Sequence, residues 1–205
     1  MSEGVVNAFA GMPKMARLSR EMVLTEKIDG TNAQIFIAEN SEPITLKSFR
    51  AVPFLVGSRT RWIFPENDNH GFAKWAYENA EGLLKLGPGR HFGEWYGQGI
   101  NRGYGLKEKR FALFNALRWA TRAEGNVFTT VPVLYQGPFD TDVVDYWIRR
   151  LAHEGSKAVP GYMDPEGVVV FHVAGNVGFK KTINNDEIPK SVAAKTILLD
   201  REHSL

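Results

Sequence analysis

The chain contains no cysteine. Disulfide scaffolds, thiol catalysis and cysteine-based zinc sites are thereby excluded. Its five histidines, His70, His91, His153, His172 and His203, are scattered without metal-ligand spacing. No apolar run approaches membrane-spanning length, and Met1-Ser2-Glu3-Gly4 does not begin a signal peptide. Charge of one sign is also lacking: 25 basic residues face 23 acidic ones, so any surface for nucleic acid has to be a local concentration. Nucleotide-binding fingerprints are missing too. Gly97-x-Gly99 is followed by its next glycine only at Gly103, which is not the dinucleotide spacing, and no Gly-Lys-Ser/Thr phosphate loop occurs. No serine stands in a nucleophile elbow. These absences leave a cytoplasmic protein without a membrane segment as the expectation.

What is present is material for a core. Hydrophobic residues make up 43% of the chain and aromatics 12%, which rules out global disorder. Strand patterns run over 22–28, 33–38, 44–49, 91–96, 110–117 and 126–135. A hairpin is predicted from 167–173 and 177–183. Residues 69–86 read as one helix stopped by Gly87-Pro88-Gly89, 140–151 as a second capped by Asp140, and 186–199 as a third. Residues 50–61 are basic and irregular. Strands and helices do not alternate as βαβ units, so the class is α+β, with residues 1–205 as a single domain.

Five constellations carry chemistry. The first is Lys27-Ile28-Asp29-Gly30, between the strand patterns of Met22–Thr25 and Ala33–Ile37, with Gly30-Thr31-Asn32 as turn residues. A lysine at a strand end, aimed into what the two strands enclose, is a candidate covalent nucleophile; a surface lysine beside an Asp-Gly turn fits the same four residues. The second is Phe92-Gly93-Glu94-Trp95-Tyr96-Gly97, where a glutamate among aromatics faces either a polar site or solvent. The third is Phe111-Ala112-Leu113-Phe114, either core or base-stacking. The fourth is Asp164-Pro165-Glu166-Gly167, which delivers a carboxylate to the start of an apolar strand, with a glycine that permits close approach by a ligand. The fifth is Lys180-Lys181, whose members point to opposite faces of a strand. Arg59 and Arg61 share a face if extended and suit phosphate.

In this order the five resemble the motifs of the covalent nucleotidyltransferase superfamily, the polynucleotide ligases and mRNA capping enzymes, over roughly residues 20–190. Glu26-Lys27 with Gly30-Thr31-Asn32, Gly93-Glu94 followed by Gly97-x-Gly99-Ile100, and Phe111-x-x-Phe114 are most similar to RNA ligases of the phage nick-sealing type. The family's fifth motif commonly reads Lys-x-Lys, whereas the lysines here are adjacent, so Lys180 and Lys181 both stand as candidates. The nick-sealing phage enzymes carry histidine where this chain has Asp29.

The resemblance implies an ATP-grasp-like nucleotidyltransferase domain of antiparallel sheets flanked by helices, with no room for an OB-fold or other C-terminal domain. It implies an ATP-dependent RNA ligase that joins 5′-phosphate and 3′-hydroxyl ends through a lysyl-AMP on Lys27. A lysine near its reference value of ~10.4 is protonated at neutral pH, so a second lysine and Mg²⁺ or Mn²⁺ are needed as helpers. By resemblance, Glu26, Lys27, Glu94, Phe114, Lys180 and Lys181 bind the nucleotide, Glu94 at the ribose and Phe114 on the base. Glu166 and Asp29 are the metal ligands. Asn32, Arg59 and Arg61 contact phosphate or the polynucleotide, which is an RNA end or a nicked duplex. A DNA ligase, a GTP-using capping enzyme and a non-catalytic nucleotide- or nucleic-acid-binding module remain as alternatives, and the oligomeric state is open.

Overall fold

The computed structural model describes residues 11–39, 54–184 and 186. The strand expected at 44–49 and the helix expected at 186–199 lie outside these residues, apart from Asp186. Along the chain run β1 (Glu21–Lys27), β2 (Thr31–Ile37), β3 (Leu55–Gly57), α1 (Phe72–Glu78), α2 (Ala80–Leu84), β4 (Gly89–Gly97) and β5 (Lys109–Leu113). They are followed by α3 (Ala116–Ala123), β6 (Thr129–Thr130), β7 (Val133–Pro138), α4 (Thr141–Glu154), β8 (Gly167–His172) and β9 (Val177–Thr182).

The strands form two sheets, ordered β7-β1-β8-β9 and β3-β2-β4-β5-β6. All pairings are antiparallel except the short β5–β6 ladder. The α+β class expected from the sequence is the one observed. Among the described residues no helix is long and apolar enough to cross a membrane.

Strand alternation decides what each sheet face does. In β1, Met22 and Leu24 point to one side, where they pack with Val168 and Val170 of β8 and with Val144 and Leu151 of α4. In the second sheet, Ala33, Ile35 and Ile37 of β2 join Trp95, Phe111 and Leu113 in the largest core, closed by Phe72, Ala73 and Ala76 of α1, Leu83 of α2 and Trp119 of α3. Each sheet thus buries one face under helices. The other faces, which carry Thr25 and Lys27 in the first sheet and Asn32 and Glu94 in the second, border a cleft. Its floor is a third cluster of Ile28, Tyr96, Tyr104, Ala112, Ala116 and Val131.

Four local expectations are corrected. Thr31 and Asn32, expected in a turn, are already residues of β2, which lies in a different sheet from β1. The helix expected at 69–86 breaks at Asn79, whose side-chain amide donates to the Trp75 carbonyl at 2.8 Å and competes with the helical ladder. The strand expected at 110–117 stops at Leu113, and Ala116, Trp119 and Ala123 recur at helical spacing as the buried side of α3. The strand expected at 126–135 is two strands in two sheets, separated at Pro132, which has no N–H for a ladder.

Candidate active site

Lys27 is the last residue of β1, and its strand partner on β8 is Gly167. The segment that enters β8 brings Glu166 to it, with the Lys27 amine donating to the Glu166 carboxylate at 2.6 Å. The glutamate side chain is 2% exposed and the lysine 20%, so the pair sits at the cleft wall with only the amine side open. The glycine after Glu166 permits a close approach, but by the protein itself. A Cβ on Gly167 would strike the Lys181 carbonyl of β9, so the space expected for a ligand holds backbone.

Glu94 faces this pair from β4. Its carboxylate accepts from the Gly30 amide at 3.1 Å and from the Asn32 side-chain amide at 3.0 Å. Burial pushes its pKa up to about 7, an effect the Lys27 charge and the two donors only partly offset. The turn after Lys27 is pressed onto β4 so closely that a Cβ on Gly30 would collide with the Trp95 carbonyl and come within 2.9 Å of the Glu94 side chain. Glycine at that position is therefore a packing requirement that sets the turn after Lys27 against the opposing carboxylate.

The glycine-rich loop 97–105 is a clamp on that turn. Asn101 donates to the Asp29 carboxylate at 3.0 Å and to the Gly30 carbonyl at 2.7 Å. Arg102 donates to the other Asp29 oxygen at 3.1 Å and to the Asp164 carbonyl at 2.9 Å, and forms an ion pair with the Asp164 carboxylate. The Asp29 amide donates to the Tyr104 hydroxyl at 2.7 Å. Asn101 and Tyr104 adopt φ of 43° and 54°, and Gly97, Gly99, Gly103 and Gly105 share the left-handed region, so the loop turns back tightly on itself. Arg102 therefore ties the turn carrying Lys27 to the arm carrying Glu166. The sequence marks this loop by its glycines, as a mismatch with a dinucleotide fingerprint and as part of the resemblance at 97–100, but does not mark Asn101, Arg102 or Tyr104 as a clamp.

Several expected site residues lie elsewhere. Glu26 is adjacent to Lys27 and so points to the opposite face, where its carboxylate accepts from Ser156 Oγ at 2.5 Å and from the Lys157 and Ala158 amides at 2.6 and 2.9 Å. It anchors the loop after α4, and burial raises its pKa against those donors. Asp29 is engaged by Asn101 and Arg102 rather than set beside Glu166, and among the described residues no group of three or more His, Asp and Glu is placed to hold a metal ion. Lys181 ion-pairs with Asp145 of α4 at 2.6 Å, on the helix side of the sheet. Lys180 pairs with Val169, which pairs with Thr25, and so shares the face of Lys27, at a Cα separation of roughly 12 Å from strand spacing. Segment 58–61 is a reverse turn closed by the Ser58 amide on the Arg61 carbonyl at 2.8 Å, so Arg59 and Arg61 do not share a face. Arg59 lines the cleft with Asn32 and Phe114, whereas Arg61 donates to the Asn67 carbonyl at 2.9 Å. Phe111 is core, and Phe114 is 42% exposed on the Glu94 side of the sheet.

A family model described as RNA ligase matches residues 20–183. Among solved structures, a substituted Naegleria gruberi RNA ligase with ATP and Mn is similar at a TM-score of 0.56 and 20% identity, covering 82% of this chain and 51% of its own. A second form, with AMP and Mn, gives 0.53 and 20% over 82% and 51%. A third, without nucleotide, gives 0.53 and 19% over 80% and 49%. The chain spans about half the length of these relatives, and at such identity the likeness concerns the fold. No curated protein matches.

Proposed function

The chain belongs to the RNA ligase family, and from that premise we propose that it joins 5′-phosphate to 3′-hydroxyl RNA ends with ATP, through AMP carried on Lys27. The observation that supports this most is the Lys27–Glu166 contact of 2.6 Å across from Glu94 and Asn32, a primary amine and two carboxylates in one cleft. The relatives solved with ATP, AMP and Mn support carrying the nucleotide and a divalent cation over to this chain. Its setting on this reading is the ATP-supplied cytoplasm.

In the first step the Lys27 nitrogen attacks the α-phosphorus of ATP, a P–N bond forms, the P–O bond to pyrophosphate breaks, and the amine loses its proton. An oxygen of a 5′-phosphate end then attacks the AMP phosphorus, forming a P–O–P linkage as the P–N bond breaks and the Lys27 amine is regenerated. A 3′-hydroxyl attacks that activated phosphate, forming the phosphodiester and releasing AMP. Glu94 accepts from the ribose hydroxyls, and Phe114 stacks on the base. Lys180, on the Lys27 face, neutralises charge developing on the α-phosphate. Asn32 orients Glu94 and the incoming end, and Arg59 grips phosphate. Glu26 supports the site by fixing the 156–158 loop.

Glu166 would hold a hard divalent cation through its buried carboxylate oxygens, as no group of three or more His, Asp and Glu is placed to do so among the described residues. When bound, that ion would withdraw Glu166 from Lys27 and act as a Lewis acid at the phosphate. The nick-sealing subtype rests on the sequence motifs alone. The test is a sealing assay with RNA and DNA, nicked and single-stranded, under ATP or GTP. Sealing of RNA with ATP is expected; a GTP preference, or sealing confined to DNA, would replace this reading with a capping enzyme or DNA ligase.

A further inference from the structure

The cleft face of the second sheet continues past Glu94. Strand register places Phe92 beside Gln34 and across from Phe114, whose amide donates to the Phe92 carbonyl at 2.9 Å. Each two-residue step along β4 is ~7 Å, so Phe92 stands one step and Arg90 two steps from Glu94. Phe92 is 51% exposed and Phe114 42%, two rings open on the same face. Together with Arg59, Arg90 and Arg118 they line a cavity of about 480 Å³ that reaches Asn32 and contains no Asp or Glu among its lining residues. Arg90 is held in place by Gln34 at 3.1 Å and by the rings of Phe36 and Trp62, and Arg118 lies over Trp119 at 4.5 Å.

A mononucleotide needs one base platform, and Phe114 is that platform in the proposal above. A second exposed ring on the neighbouring strand, in a cavity whose Asp, Glu, Lys and Arg content is arginine alone, is surplus to ATP. Bases within a duplex are already stacked on one another, so a protein ring takes a base only from an unpaired strand. We propose that this cavity is the docking subsite for unpaired nucleotides of the RNA end being joined, with a base on Phe92 and phosphates on Arg118 and Arg90. The inference rests on the ligase reading and names its substrate class: a single-stranded 5′-phosphorylated RNA end.

The test uses Phe92→Leu, Phe92→Tyr and Arg118→Gln, all at exposed positions. Lysyl-AMP formation from ATP labelled at the α-phosphate is expected to match the unsubstituted protein at sub-saturating ATP. The Kd for a single-stranded 5′-phosphorylated RNA oligonucleotide is expected to rise roughly tenfold in Phe92→Leu and to recover in Phe92→Tyr. Arg118→Gln should lower the slope of log K against log salt by about 0.7, one phosphate contact on a single strand. Unchanged RNA affinity in both Phe92→Leu and Arg118→Gln overturns the subsite. So does a parallel loss of adenylylation, which would assign the cavity to ATP, and so does an equal loss on a nicked duplex, which would remove the role of an unpaired base. If the unsubstituted protein forms no lysyl-AMP, the ligase reading fails, while RNA affinity still decides the subsite.

Discussion

The two ends of the cleft are built from opposite materials. At the inner end, Glu94 and Glu166 are nearly enclosed, and the Lys27 amine donates to Glu166. At the outer end, the cavity beyond Asn32 is lined by three arginines and two exposed phenylalanines, with no carboxylate. Enclosed charge is expensive unless paired, so the inner end is held by the Lys27–Glu166 pair, by the donors to Glu94 and by the loop that clamps the adjoining turn. Arg90 and Arg118 are positioned by an amide and by aromatic rings rather than by carboxylates, which suits a long, variable polyanion. On the proposed reading the contrast separates bond-making at the inner end from strand-holding at the outer one, and substitutions at the two should separate in kind.

The largest effect is expected from Lys27→Ala, which removes the nucleophile: protein–AMP labelling should fall to background while circular dichroism stays that of the folded chain. Labelling of that variant would relocate the chemistry. Lys180→Ala and Lys181→Ala come next. The first shares the Lys27 face, and the second is tied to Asp145 behind the sheet. A loss of roughly 100-fold in adenylylation rate is expected for Lys180→Ala, at the scale of one removed transition-state contact, and only a few-fold change for Lys181→Ala. Comparable losses would mean that register does not decide between them.

Arg102→Ala should slow adenylylation about tenfold and lower Tm by roughly 5 °C, because it releases the Lys27 turn and the Glu166 arm together. An unchanged adenylylation rate at the reduced Tm would leave Arg102 a purely structural residue. Glu94→Gln sharpens the comparison through pH. Folding raises this carboxyl from 4.5 to about 7. Below pH 4.5 it is protonated in both folded and unfolded chains and costs nothing. As pH rises to 7 the unfolded chain releases its proton first, so the fold loses roughly 3 kcal/mol, which stays lost above that value. Glu94→Gln is therefore expected to impair adenylylation yet raise Tm at pH 8, with no gain at pH 4.5. A Tm gain equal at both pH values would show that ionisation is not its source.

The chain's order of motifs made much of this cleft legible. Lys27, Glu94 and Glu166 are 67 and 139 residues apart from first to second and from first to third, yet Lys27 ends one strand, Glu94 lies within another and Glu166 immediately precedes a third, each in a region that reads as strand in the sequence. Alternation alone also separates Glu26 from Lys27 and Lys180 from Lys181, once the sheet faces are known. What did not show was pairing over distance. Arg102 reaches Asp29 and Asp164 across 73 and 62 residues, and no local pattern marks an arginine in a glycine-rich loop as a brace. The breaks at Asn79 and Pro132 were signalled by single residues, which the apolar periodicity around them obscured.

The central claim is that Lys27 carries AMP. It is tested most directly by incubating the protein with ATP and Mg²⁺ or Mn²⁺, digesting it, and locating the modified peptide by mass spectrometry. A single acid-labile AMP on the peptide containing Lys27, discharged when RNA with a 5′-phosphate is added, is the predicted result. ATP bound without any covalent adduct, or an adduct on another residue, would contradict it.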